Sequence, residues 1–154
     1  MGNVSHVKSK TFAANGADTT AICANQTNSG SGSMTLTDTG PAGVLVPGNL
    51  GTNVTIISTA SDSNTGITFD VTGMGVDGSE VSQTGITGPA GTSTVTTTTV
   101  FVSVTSITHS GTCTNVSCGI TATTTGTGVV FAGRTRIRGM HIKPSGTAGL
   151  IDFK

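Results

Sequence analysis

Apolar and polar residues alternate in short runs along most of this chain, and no stretch keeps helical spacing for a useful length. The segment SMTLTD alternates and predicts a strand ending at the turn TGPAG. VTIISTAS (54–61) predicts another, closed by the turn Asp62-Ser63-Asn64-Thr65-Gly66. ITFDVTGMGV (67–76) follows, with Ile67, Phe69 and Val71 on one face and Thr68, Asp70 and Thr72 on the other. Val76-Asp77-Gly78-Ser79-Glu80 reads as a hairpin, because Asp-Gly accepts the positive φ angles of a tight turn. VSQTGIT returns from it to a further turn, GPAGTS. TVTTTTVFVSVTSITHS (94–110) is the longest predicted strand region, with Phe101 on one face and Val100, Val102 and Val104 on the other. Two apolar faces imply burial on both sides or at a subunit interface. Beyond it, residues 116–154 predict more short strands broken by glycines.

Short strands with turns about ten residues apart define the class as all-β, a β-sandwich or jelly-roll-like domain with an extended N-terminal arm. Residues 1–30 are expected to be that arm or the first strands, ending in a Ser/Gly link, and residues 31–154 the sandwich. Within it, 129–154 reads as a terminal segment that contacts an assembly. Its last apolar pair, Ile151 and Phe153, is expected either to pair with a neighbour or to continue into a longer protein.

Composition narrows the function. Of 154 residues 9% are charged and 3% aromatic, with no Trp or Tyr and 23 Gly, while Val, Ile and Thr abound. β-Branched residues without net charge favour strands over disorder. A core of Val, Ile and a few Phe is thin, so such a subunit gains from association with neighbours. The basic residues Lys8, Lys10, Arg134, Arg136, Arg138, Lys143 and Lys154 all lie near the two ends, and six of the seven acids lie between them. That polarity orients a subunit against a charged partner. It lacks the basic excess and stacking aromatics of a nucleic-acid binder. No apolar run approaches membrane-spanning length, and the start MGNVSHVKSK has no apolar signal core, so synthesis in a cytoplasm is expected.

Candidate chemistry is sparse. Gly73, Gly75 and Gly78 spell G-x-G-x-x-G, but a return strand follows where a dinucleotide site needs a helix, so a hairpin is expected. Asp38-Thr39-Gly40 matches an aspartic-protease tripeptide in flanks that suit a turn. His109, Cys113 and Cys118 are weak zinc candidates without a fourth ligand. The two thiols are expected in adjacent turns or strands, reduced or bridged, while Cys23 has no assignable partner. Asp62, Asp70, Asp77 and Glu80 do not follow a calcium-loop spacing. With no nucleophile elbow, P-loop or zinc-protease motif, the expectation is a protein without catalysis, cofactor or metal.

Arg134, Arg136 and Arg138 occupy alternate positions and would form one ladder on a strand, opposite Thr135 and Ile137. Two readings stand. One is a solvated edge strand, where charge deters aggregation. The other is a docking row for carboxylates of a partner, joined by Lys8, Lys10 and Lys143.

NVTIISTASDSNTGITFDVTGMGVDGSEVSQTGITGPAG, then VFVSVTSITHSG, GRTRIRGMHI and SGTAGLIDF, taken in that order, resemble small virion structural proteins of tailed bacteriophages, especially short-tailed marine and cyanobacterial phages. The resemblance spans residues 44–154. This chain departs from the pattern where the return strand is lengthened around Gln83-Thr84-Gly85, where Cys113 and Cys118 follow Ser110, and where it stops at Lys154. The resemblance implies a head decoration or cement protein that bridges major capsid protein subunits, as a homotrimer located in the virion. A tail, adaptor or fibre component is the alternative it leaves open. A host-surface carbohydrate-binding module is a further alternative, disfavoured by the absence of Trp and Tyr.

Overall fold

The alternating, β-branched runs fold as strands. The computed structural model describes residues 16–37, 43–45, 50–59, 61 and 63–122. Among them there is no helix, and the strands are β1 (Asp18–Asn28), β2 (Gly32–Ser33), β3 (Val44–Leu45), β4 (Thr52–Ser58), β5 (Thr68–Met74), β6 (Glu80–Thr87), β7 (Thr94–Phe101), β8 (Ser103–His109) and β9 (Cys113–Ile120). One sheet runs β1-β9-β4-β7 and the other β2-β8-β5-β6, with the short β3 also on β8. Every pairing is antiparallel.

Setting β3 aside, the pairings nest: β1 with β9, β2 with β8, β4 with β7, and β5 with β6 as the central hairpin. A long hairpin rolled up in this way is a jelly roll. The sandwich expected from the sequence is the fold observed.

Between the sheets lie Ile22, Val54, Ile56, Phe101, Val116 and Ile120 from one side and Phe69, Val71, Val104 and Ile107 from the other. Phe69 and Phe101 are the largest fully buried side chains. Met34 and Leu36 follow β2 and join this core, as the alternation of SMTLTD anticipates, although among its described residues only Ser33 is in a strand.

The 94–110 region departs from expectation. It is two strands: the chain leaves one sheet after Phe101 and enters the other at Ser103. Val102 N–H donates to the Met74 carbonyl at 2.8 Å as the chain crosses. The two apolar faces arise because Phe101 and Val104 face the same core from opposite sheets.

The Asp-Gly hairpin is present, with Met74 opposite Glu80 and Gly78 at φ 80°. Asp77 Oδ1 accepts hydrogen bonds from the Ser79 N–H and hydroxyl, and these hold its carboxyl below its ordinary pKa. Because the folded pKa is depressed, this support is present above the usual carboxylate range and is lost as pH falls through the folded value.

Gln83-Thr84-Gly85 forms a β-bulge. Phe69 pairs with Ile86 but Val71 with Gln83, so β6 spends an extra residue there. Gly85 takes φ 68°, and its N–H donates to Asp70 Oδ1 at 2.7 Å.

Carboxamide side chains replace missing ladder bonds at four places. Gln83 Oε1 accepts from the N–H groups of Thr98 at 2.8 Å and Thr99 at 2.9 Å, linking β6 to β7 in the opposite sheet. Gln26 on β1 accepts from Thr35 N–H at 2.9 Å and donates to Thr35 O at 3.1 Å, joining the other pair of edges. Buried Asn64 pairs with Thr114 in the same two-way manner, at 2.9 and 3.1 Å. Asn53 donates to the Thr97 carbonyl at 2.7 Å, where β7 is irregular against β4.

Two outcomes follow. Asn64→Ala removes both bonds to the half-buried Thr114 backbone and should cost about 1–3 kcal/mol in urea unfolding; a loss below about 0.5 kcal/mol contradicts the assignment. Gln83→Ala should cost about 1–2 kcal/mol, whereas Gln83→Glu keeps the accepting oxygen and most of that stability. Equal losses in the two variants contradict an accepting role.

Candidate functional site

Charge gives the described body its main functional character. It contains the carboxylates Asp18, Asp70, Asp77 and Glu80 and no Lys or Arg. Arg134, Arg136, Arg138, Lys8, Lys10 and Lys143, the expected partner contacts, lie outside the described residues, as do Asp38-Thr39-Gly40, Asp62 and the segment 129–154. The acids do not gather. Asp18 sits at the start of β1, where its Oδ1 accepts from the Thr20 N–H at 2.8 Å. Asp70 caps the β6 bulge, and Asp77 and Glu80 stand at the β5–β6 turn.

The glycine motif is backbone geometry. Gly73 lies on β5, where a Cβ would stand 2.0 Å from the Ser103 carbonyl oxygen of β8. Gly75 and Gly78 hydrogen-bond to each other within the turn, and β6 follows where a dinucleotide fold would place a helix.

His109, Cys113 and Cys118 are divided between the sheets. His109, on β8, meets Gly111 O through Nδ1 at 2.7 Å and Asn28 Nδ2 through Nε2 at 3.4 Å. Both ring nitrogens are thus engaged within the protein. Cys113 and Cys118 lie on β9 itself, rather than in adjacent turns or strands. Asn115, at φ 50°, puts a bulge between them, so that Cys113, Val116 and Cys118 all face inward. Four or five positions of about 3.3 Å rise separate the two Cα atoms, well beyond the roughly 7 Å limit for a disulfide. Among the described residues, no group of three or more His, Cys, Asp or Glu is placed to hold a metal ion.

The partner of Cys118 is Cys23. The two are directly opposed on β9 and β1, and neither is exposed. Sequence reasoning missed this pair because it joins opposite ends of the roll. The one local signal is that each cysteine has apolar residues within two positions, in AICA and VSCGI. The Cys118 thiol, as hydrogen-bond donor, pulls Cys23 below its ordinary pKa; the same pairing, with burial, pushes Cys118 well up. Burial raises Cys113, whose Sγ lies 3.9 Å from Met34 Sδ.

Comparison of the chain with protein-family models, curated proteins and solved structures gives no match in any of the three. Among the described residues, no helix is long and apolar enough to cross a membrane.

All three thiols are at 0% exposure. A disulfide reagent such as Ellman's should therefore titrate none of them in native buffer within the minutes it takes to titrate three in denaturant. Prompt reaction of any one in the native protein contradicts the packing.

Proposed function

We propose that this chain is a structural component of a tailed-phage virion, a decoration or cement protein that stabilises the icosahedral head by bridging subunits of the major capsid protein. It is made in the host cytoplasm, acts as a homotrimer and performs no catalysis. The observation that carries the reading is the segregation of charge: a body with four carboxylates and no Lys or Arg, and every cation in the segments at either end. Such a subunit has a neutral-to-acidic body and cationic ends with which to meet a partner. Guanidiniums at alternate positions suit carboxylates on that partner, since each binds two oxygens at once.

The jelly roll supports this reading only in part, because the fold serves viral shells and lectins alike. Against a sugar-binding module stands the lack of Trp and Tyr. A tail, adaptor or fibre component shares the same chemistry and differs in stoichiometry.

Two measurements separate the readings. Quantitative mass spectrometry of purified particles should find copies comparable to the major capsid protein; about six or twelve copies, as ring symmetry dictates, would make it a tail part. Replacing Arg134, Arg136 and Arg138 by Ala should lower binding to heads at least about tenfold while the thermal midpoint of the free protein stays the same. Unchanged incorporation rejects the arginine contact.

A further inference from the structure

The strands β1 and β9 meet along one edge of the sandwich, and Cys23 and Cys118 are direct Cα partners there. Opposed residues of an antiparallel pair hold their Cβ atoms about 4.5–5.5 Å apart, which small adjustments bring within disulfide geometry. Both side chains point into the same core, and both are fully buried. Cys113 is directed elsewhere, toward Asn28 and Met34. We propose that Cys23 and Cys118 form a modification site, a latent cross-strand disulfide that fastens the edge strand β1 to β9 when the protein meets a low-molecular-weight disulfide.

Access comes through β1, during folding or in openings too rare to register in the native thiol titration. It is the outermost strand of its sheet, and its pairing with β9 is interrupted between Asp18 and Cys23, between Cys23 and Gln26, and between Gln26 and Asn28. A strand held by broken ladders opens at lower cost than the interior strands. The Cys118 thiol and N–H, with the Gln26 side chain, favour the thiolate of Cys23, so Cys23 is the attacking sulfur. Its thiolate attacks one sulfur of the reagent; a mixed disulfide forms and one small thiolate leaves. Cys118, deprotonated in turn, attacks Cys23 Sγ, the protein S–S bond forms and the second small thiolate leaves. Two electrons pass from the protein thiols to the reagent, and their two protons end on the released thiols. The bond closes most of the roll, from its first strand to its last, into one covalent loop, which restricts the unfolded chain.

The test uses the full chain, refolded from denaturant with oxidised glutathione or, in parallel, with a reductant. Peptide mapping of the oxidised sample should show Cys23 joined to Cys118 with Cys113 free to alkylate. Its thermal midpoint should exceed that of the reduced sample by about 5–10 °C. Cys113→Ser should keep the linkage and the rise, and Cys23→Ser should lose both. A Cys113–Cys118 linkage, glutathione retained on Cys23 without an internal bond, or three free thiols in the wild-type map would each overturn the proposal. The wild-type map decides even where a variant fails to fold.

Discussion

A sheet edge exposes backbone N–H and C=O groups that must find partners, and most proteins guard such edges with charged side chains. The described body of this protein has no Lys or Arg with which to do so. Its fold therefore depends on closing the edges from within. Gln83 carries β6 onto the backbone of β7, and Gln26 carries β1 onto Thr35. Backbone bonds complete the second closure, from Met34 N–H to Ile107 O on β8 and from Thr37 N–H to Ile22 O on β1. A neutral amide both donates and accepts, so it can stand in for a strand without bringing charge.

The same constraint shapes the remainder of the molecule. Bulges usually leave backbone groups unpaired. Here the bulge in β6 is capped by Asp70, and the irregular stretch of β7 is filled by Asn53 and by Thr97, whose hydroxyl accepts from Val54 N–H and donates to Thr99 O. With the edges satisfied, a thin core of Val and Ile around Phe69 and Phe101 suffices to order the sandwich. The cationic residues are left to the ends of the chain, where the proposed docking role needs them. On the proposed reading, assembly then falls to those ends.

Much of the fold is legible in the residues. Alternation marks the strands and Asp77-Gly78 marks the central hairpin. The exchange of sheets at Val102 was hidden because alternation runs on through the crossing; the one trace is that the inward position slips from Phe101 to Val104. The amide closures were hidden for a different reason. Gln26, Asn64 and Gln83 look like any polar residues until long-range pairing brings a backbone within reach. Cys23 was likewise unassignable, since its partner lies at the other end of the roll. Of the expected site, His109 lies on one sheet and Cys113 and Cys118 on the other, while the arginine row lies outside the described residues.

The edge closures are most directly tested by amide hydrogen exchange in the native protein. With Gln83 and Gln26 in place, the N–H groups of Thr98, Thr99 and Thr35 should exchange far more slowly than amides of an open sheet edge. Exchange of these three amides at the rate of an open edge, with β4 and β9 still protected, would contradict the account.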